Sequence, residues 1–372
     1  MRYWKPIFYN SLLLFGSIVF SFLLAEIFIR ISVPQDLIVP MPAQADRELI
    51  YRLPANTKSY LKGTSVRWFH LETNSLGLRD SEHHFKKKPG TYRVLLLGDS
   101  MSMAEGAELE ETYIKQFDKL ANHCSEGEYI ETINMAIRGY GNDQEVVLFE
   151  RIGQKFHPDL VILSFFEGND FDDNRRGGIF KLDGEKLIKT IPTRENSPKF
   201  WYYSRQIKIQ NFPGYRFFIG HSHLLNLARN YVGAYLTKKS LSISEKHNET
   251  DNKNNGKSRI SLEDWRLTIK ILERWIADSR QIDSIPLLLF IPTYENIVEG
   301  KGKILENNLR IDTQLEKFAK SKNIHWINPS DTFTHILKPE CLYLEDGHLS
   351  PKGHKKIADE ILGYLVRNRD HL

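Results

Sequence analysis

The chain has 372 residues, of which 41% are hydrophobic and 26% charged, and its 51 basic and 47 acidic residues give a net charge of +4. This length and composition suit a globular protein with a sizeable core, in one large domain or two smaller ones. The charges are balanced and no basic stripe is interleaved with aromatic residues, which argues against a nucleic-acid-binding protein.

The first predicted element is an N-terminal transmembrane anchor, residues 1–31. Residues 6–25 carry no charge, and twenty residues at about 1.5 Å each cross a hydrocarbon core of about 30 Å. Arg2 and Lys5 precede this stretch and acidic residues follow it. The positive-inside rule therefore predicts a cytoplasmic N-terminus and a periplasmic or extracellular domain. A cleaved signal peptide is the alternative, but the apolar stretch is long for one and no clear cleavage site lies near Ala25.

The segment after the anchor differs in composition from the rest of the chain. Residues 32–60 are rich in proline and polar residues, which favours a stalk that lifts the domain off the membrane. We predict a stalk and pre-domain segment over residues 32–90 and one domain over residues 91–372.

From residue 91 onwards, apolar runs alternate with amphipathic segments. This alternation predicts a parallel sheet of five strands covered by helices on both faces. The predicted strands are 93–97, 129–134, 160–166, 286–291 and 324–327, and the predicted helices are 112–122, 143–154, 265–282, 304–320 and 352–366.

Residues 171–258 interrupt the alternation. Their first part is aromatic, whereas residues 238–258 are polar and are expected to be disordered. An insertion at the carboxyl edge of a sheet overhangs the ligand crevice, so we interpret it as a cap that shapes the substrate site. A peripheral packing module is an equal alternative.

Ser100 is the first candidate catalytic residue. It follows the apolar strand Arg93–Leu97 and the turn Gly98–Asp99, which places it in the crevice where open α/β sheets bind ligands. A serine there is a candidate nucleophile if a base activates it. Gly-Asp-Ser alone is also a common turn sequence.

Two further loops follow predicted strands and offer hydrogen-bond donors. The loop after residues 129–134 contains Gly139, where a backbone N–H could approach a substrate closely. The loop after residues 160–166 contains Asn169, whose amide could stabilise an oxyanion. Each signal is modest by itself, since such glycines and asparagines are frequent in turns.

A candidate base lies just before the last predicted helix. His348 stands on a loop with two acidic residues close before it, Glu345 and Asp346. A histidine beside an orienting carboxylate suits activation of a serine. The rate should then fall as the imidazole is protonated, around a pKa of roughly 6.5.

The order of these motifs resembles the SGNH (GDSL-type) hydrolase superfamily over roughly residues 60–370, including residues 74–80, which resemble a segment that precedes the catalytic domain in membrane-anchored members. The resemblance rests on Gly98-Asp99-Ser100, Gly139, Gly168-Asn169-Asp170 and Asp346-Gly347-His348. It implies a flavodoxin-like α/β/α sandwich and ester hydrolysis or acyl transfer.

Carried over by position, the resemblance implies that Ser100 is the nucleophile and His348 the base. The backbone N–H groups of Ser100 and Gly139 and the amide of Asn169 would form the oxyanion hole. Many members place the acid three residues before the histidine, where Glu345 stands here, and others place it two before, where Asp346 stands. We favour Asp346, with Glu345 as the alternative.

The sequence therefore predicts a serine esterase that needs no cofactor or metal and acts on a small-molecule, glycan or lipid ester. A metallophosphoesterase is disfavoured because the histidine signatures of its metal site are missing. An O-acetyltransferase or deacetylase partner acting on an extracellular glycan is one alternative, and a non-catalytic, membrane-anchored binding module is the other.

The two cysteines, Cys124 and Cys341, lie far apart in the sequence and have no metal-ligand spacing. A disulfide between them would require an oxidising compartment. We expect two buried thiols instead, since free cysteine is among the most buried residue types.

Overall fold

The computed structural model describes residues 4–37, 39–62, 67–124, 129–247 and 259–368. Its strands, numbered in chain order, are β1 Gln44–Asp46, β2 Ile50–Arg52, β3 Lys58–Lys62, β4 Trp68–Glu72, β5 Thr91–Leu97, β6 Tyr129–Asn134, β7 Leu160–Phe166, β8 Phe180–Asp183, β9 Lys186–Lys189, β10 Arg259–Ile260, β11 Ile285–Ile291, β12 Ile304–Leu305 and β13 His325–Ile327. Its α-helices are α1 Trp4–Ser32, α2 Ser100–Met103, α3 Tyr113–Cys124, α4 Asn142–Arg151, α5 Asp170–Gly177, α6 Pro198–Gln210, α7 Tyr215–His221, α8 His223–His247, α9 Leu262–Gln281, α10 Tyr294–Glu299, α11 Ile311–Lys322, α12 Ser330–Thr334 and α13 Pro351–Arg367.

The central sheet is parallel and has the strand order β13-β11-β7-β5-β6. Numbered by their order in the chain, its five strands lie as 2-1-3-4-5, the flavodoxin-like arrangement. The chain order reverses between β5 and β7, and open sheets of this kind bind ligands in the crevice at that point. The predicted five-stranded parallel sheet is confirmed, and the strands predicted at 129–134 and 160–166 have those bounds.

Helices cover both faces of the sheet, because its inner strands are apolar on both sides. Along β5, Leu95 and Leu97 pack into one core with helices α4, α9 and α11, while Val94 and Leu96 pack into the other with α3 and α13. Alternate side chains of a strand point to opposite faces, so an uninterrupted apolar run fills both layers. The result is the expected α/β/α sandwich.

The segment expected to be a stalk differs from that expectation. Leu49, Tyr51 and Leu53 are buried in the core that also contains α4 and α9. Ile50 is buried in the same core, and within residues 49–53 only Arg52 is exposed, so nearly the whole segment packs against the domain. Proline content therefore does not make this stretch a free spacer.

Three other expectations need correction. The helix predicted at 304–320 begins only at Ile311, because the chain first turns back on itself, with Leu305 N donating to Leu309 O over 2.8 Å and Asn308 in the left-handed region at φ 66°. Residues 238–247, expected to be disordered, belong to α8, and residues 248–258 lie outside the described part of the chain. Cys341 is a free, exposed thiol, whereas the side chain of Cys124 lies outside the described part.

Helix α1 contains the apolar stretch Ile7–Ser32, which has a mean hydropathy of 2.5. The most apolar part of this stretch is not buried against the described part of the protein. It is long and apolar enough to cross a membrane. Glu26 and Arg30, four residues apart on this helix, form an ion pair with 3.1 Å between their charged atoms.

Candidate active site

Ser100 lies at the carboxyl end of β5, as the first residue of the short helix α2. Asp99 caps this helix, and its carboxylate accepts a hydrogen bond of 2.9 Å from Met101 N. A side chain at Gly98 would not fit, because a Cβ there would lie 2.2 Å from Ser102 Oγ and 3.2 Å from Ser164 Cβ. The glycine thus lets the strand turn sharply into the helix and present the serine at the sheet edge.

His348 and Asp346 come to this serine from the loop before α13. His348 Nε2 lies 2.9 Å from Ser100 Oγ, and His348 Nδ1 lies 2.9 Å from Asp346 Oδ2. The second oxygen of Asp346 accepts a bond of 3.2 Å from the backbone N of His348. A hydroxyl, an imidazole and a carboxylate therefore form one continuous chain, although Ser100 and His348 are 248 residues apart in sequence.

The loop is held in this shape by its own backbone. Leu344 N donates to His348 O over 2.7 Å and Gly347 N to Leu344 O over 3.0 Å, with Gly347 at φ 85°. This tight turn brings Asp346 under the imidazole. Glu345, one residue earlier, is exposed to solvent, so of the two candidate acids the fold brings Asp346 to the histidine.

A third carboxylate, Glu105, lies next to the same imidazole, and the sequence analysis did not identify it. Its side chain is 1% exposed, and its Oε2 lies 3.9 Å from His348 Nε2 and 3.1 Å from Arg138 Nε. No motif marks Glu105, because its position depends on how the chain turns after α2.

The charges around His348 favour its protonated form. Burial alone would lower the pKa of the imidazole, but Asp346, Glu105 and Asp99 act against it, and the resulting pKa is raised above its ordinary value. Burial raises the pKa of the Asp99 carboxyl to about 6, against the opposing effect of the hydrogen bond from Met101 N. The site therefore stabilises a positive charge on the imidazole, which is the charge a general base acquires when it takes a proton.

Gly139 and Asn169 lie on the two neighbouring strand-end loops. The Gly139 loop is held at β5 by a bond of 3.0 Å from Ile137 N to Gly98 O, and Gly139 itself has φ 74°. The side chain of Asn169 hydrogen-bonds to Asp99, the residue before the candidate nucleophile. Both predicted donors thus belong to loops that contact the turn leading to Ser100.

A separate carboxylate holds the Asn169 loop in place. Glu167 is 1% exposed, and it accepts bonds from Lys303 N over 2.6 Å and from Asn296 Nδ2 over 2.9 Å. The side chain of Lys303 in turn donates to Gly168 O over 2.7 Å. Buried acids of this kind position a loop when their oxygens are fully bonded.

The pre-domain segment braces the same edge from the other side. Arg79, 1% exposed, donates to three carbonyl groups that follow α2, those of Met103, Ala104 and Ala107, over 2.5 to 3.0 Å. Asp80 accepts a bond of 2.7 Å from Asn134 N at the end of β6. Two adjacent residues thus fix the loop that carries Glu105 and the strand end that leads to Gly139.

Within the described residues, no group of three or more His, Cys, Asp or Glu side chains is arranged to hold a metal ion. No family model matches the chain, and no curated protein does.

Solved structures do match. One is the acetyl xylan esterase AlAXEase, with 14% identity and a TM-score of 0.41, covering 73% of this chain and 98% of that one. Another is the psychrotrophic esterase EstA from Pseudoalteromonas sp., with 14% identity and a TM-score of 0.37, covering 75% and 98%. A putative lipolytic protein of the G-D-S-L family from Desulfitobacterium hafniense DCB-2 has 11% identity and a TM-score of 0.36, covering 73% and 99%. The chain is similar to these proteins over nearly their whole length.

Proposed function

We propose that this chain is a membrane-anchored serine esterase of the SGNH (GDSL-type) superfamily, with Ser100, His348 and Asp346 as its catalytic residues. The observation that carries the proposal is the continuous contact from Ser100 Oγ through His348 to Asp346, at 2.9 Å on each side of the imidazole. It lies at the crevice where the strand order reverses, the usual ligand site of such sheets.

In the first half of the reaction, His348 Nε2 takes the proton of Ser100 Oγ as that oxygen attacks the carbonyl carbon of an ester. Asp346 accepts a hydrogen bond from the Nδ1–H group of His348, which keeps Nε2 unprotonated and able to act as the base. The negative oxygen of the tetrahedral intermediate is bound by the backbone N–H groups of Ser100 and Gly139 and by the Asn169 amide, and each such donor is worth on the order of 3 kcal/mol. The intermediate collapses, the C–O bond to the alcohol breaks, and the departing alcohol takes the proton from His348.

In the second half, the acyl group is bonded to Ser100. His348 takes a proton from water as that oxygen attacks the acyl carbon, and gives it back to Ser100 Oγ when the acid leaves. An acceptor hydroxyl in place of water would give acyl transfer by the same steps. Analysis of the products, with and without a glycan acceptor, distinguishes hydrolysis from transfer.

The test is labelling of the full-length protein with a fluorophosphonate, which reacts with an activated serine whatever its substrate. We expect labelling of the parent and none of Ser100→Ala. Ser102→Ala is the matched control, because Ser102 lies on the same short helix but its hydroxyl bonds to Tyr113 Oη at 2.7 Å; this variant should be labelled. A folded parent that is not labelled, yet binds ligands, would favour the non-catalytic binding module.

The proposal includes α1 as an uncleaved anchor, with the N-terminus in the cytoplasm and the domain outside. Contacts from α1 into the domain support this reading, since Glu26 and Arg30 bond to residues 221–224. Cleavage after a signal sequence would remove these partners. An intact mass that includes residues 1–31 supports the anchor, and a mass that lacks them would contradict it.

A further inference from the structure

Helix α8 carries an apolar stripe that none of the residues described by the structure covers. At about 100° per residue, Leu225, Ala228, Tyr231, Val232 and Tyr235 share one side of the helix, and all five are exposed. Tyr231 is 73% exposed and Tyr235 63%. A stripe of this width normally faces a core or another apolar phase.

Three more large apolar side chains are exposed in the residues just before α8. Phe212 is 70% exposed, Phe217 63% and Phe218 57%. We call Phe212, Phe217, Phe218 and the stripe on α8 the aromatic surface. A soluble domain rarely exposes so many large apolar side chains together unless they meet a partner.

The same part of the chain is uniformly basic. Residues 196–244 contain seven lysines and arginines and no aspartate or glutamate. Lys199 is buried and pairs with Asp173, which leaves six basic residues in this stretch as candidates for contact with a membrane. Aromatic and basic residues together are typical of segments that lie in the headgroup layer of a membrane, where rings reach the acyl chains and cations meet anionic lipids.

Contacts with α1 fix the height of the aromatic surface. Glu26 accepts hydrogen bonds from Ser222 Oγ at 2.7 Å and from the backbone N of His223 and Leu224 at 2.9 Å each. This carboxylate thus caps the start of α8. Arg30, one turn further along α1, donates to His221 O over 2.9 Å.

Glu26 is also the first charged residue after the uncharged stretch 6–25. That stretch alone is long enough to fill a hydrocarbon core of about 30 Å. A bilayer around α1 therefore ends close to Glu26, and residues 222–224, which touch Glu26, lie at the same depth.

We infer that the aromatic surface lies in the headgroup layer of the bilayer that α1 crosses, with anionic phospholipids as its partner. This rests on the proposed membrane anchor. The argument is continuity: the surface begins where the membrane-crossing helix leaves the hydrocarbon core, and its charge and composition suit that layer. The aromatic part of the insertion is then a membrane contact in addition to any role as a cap.

The test uses the full chain in vesicles of phosphatidylcholine and phosphatidylglycerol, with Cys124 and Cys341 replaced by serine. An environment-sensitive fluorophore is attached to a single cysteine in each of four variants: Phe218→Cys, Tyr231→Cys, Leu14→Cys within α1, and Leu337→Cys as the water-exposed control, since Leu337 is 94% exposed. Quenching is measured with nitroxides placed near the headgroup end or near the tail end of the lipid.

Fluorophores at 218 and 231 should be quenched about twofold more by the shallow nitroxide than by the deep one, as expected for interfacial residues. The fluorophore at 14 should be quenched by the deep nitroxide, and that at 337 by neither. If 218 and 231 behave like 337 while 14 is quenched, the anchor stands and the inference is wrong. If the fluorophore at residue 14 is not quenched either, the proposed anchor and the inference about the aromatic surface are both wrong. Shielding of 218 and 231 from lipid nitroxides and from aqueous iodide would mean that a protein, such as a second copy, covers the surface, and would also overturn the inference.

Discussion

The carboxyl edge of the sheet and the helices α7–α8 solve opposite problems. At the sheet edge, polar and charged groups are buried, and short hydrogen bonds fix several of them, such as those that Arg79 donates and those that Glu167 accepts. On α7–α8, apolar groups are exposed, and one carboxylate from α1 fixes the start of α8. The first arrangement preorganises atoms to a fraction of an ångström, which chemistry requires. The second, by the inference above, sets the position of the domain at the membrane, so changes in the two regions should have separable consequences.

The largest effect in this comparison should come from Asp346→Asn, a change confined to the sheet edge. The amide no longer holds His348 with a free Nε2, so kcat should fall on the order of 10²- to 10⁴-fold with little change in KM. Steady-state kinetics on an activated acyl ester measures this.

Glu345→Gln is the matched control for that change, because it alters the neighbouring acid by the same chemistry. It should retain nearly full activity. The opposite order, with a large loss for Glu345→Gln and a small one for Asp346→Asn, would mean that the acid lies three residues before the histidine.

An intermediate effect is expected from Glu26→Gln, which changes the other region. Loss of the charged cap should weaken the first turn of α8 by about 1 kcal/mol. Hydrogen exchange of the full chain in nanodiscs should then show roughly fivefold faster exchange over residues 223–226. Exchange at the ends of β5 and β7, and esterase activity, should stay the same.

Asp36→Asn is the control for Glu26→Gln, since Asp36 follows α1 closely but pairs with Lys62 at 2.7 Å and not with α8. It should leave exchange over residues 223–226 unchanged. Equal acceleration in both variants would show that general loosening near the membrane, and not the cap, holds α8.

The smallest effect should be a shift in the pH dependence. The base works only when neutral, and the pKa of His348 is raised by Asp346, Glu105 and Asp99 against the effect of burial, so the rate should fall on the acid side from a pH above 6.5. Glu105→Gln removes one negative neighbour and lowers that pKa. The acid limb should therefore move to lower pH, by about 0.5 to 1 pH unit.

Glu110→Gln serves as the control in the pH profile of kcat/KM. Glu110 lies close in sequence, but its side chain is 64% exposed and pairs with Lys119. Its profile should overlay that of the parent. If the pH profile of Glu105→Gln also overlays that of the parent, Glu105 does not influence the pKa of His348.

The sequence predicted what depends on local pattern. The strand Leu160–Phe166 is apolar except for Ser164, and a short run of this kind is typical of a strand buried on both faces of a sheet. Ser100 and Asn169 come directly after such strands, so the parallel topology brings them to one edge of the sheet. His348 reaches that edge from the loop before α13. The spacing of Glu345 and Asp346 before His348 does not decide which of them meets the imidazole. That depends on the turn at Gly347, whose backbone geometry cannot be read from residue spacing.

What the sequence left open depends on contacts between distant segments. Glu105 reaches His348 from 243 positions away in the chain, and Glu26 meets Leu224 from 198 away. Neither pairing leaves a periodic signal. The burial of Leu49 and Tyr51 in the predicted stalk also depends on contacts with distant segments. A proline-rich stretch is extended whether or not it packs against a core, so its composition does not reveal the burial.

The segment that follows α1 is bonded to the domain at several points. The residues that leave α1 are tied down in succession: Gln35 N bonds to His223 Nδ1 at 2.8 Å, Asp36 to Lys62, and Pro40 O to Arg216 at 3.0 Å. With α1 in a bilayer, as proposed, these bonds restrict the motion of the domain relative to α1. Under the proposed anchoring, these contacts would hold Ser100 at a constant height above the lipid surface, and an ester would have to reach it at that height.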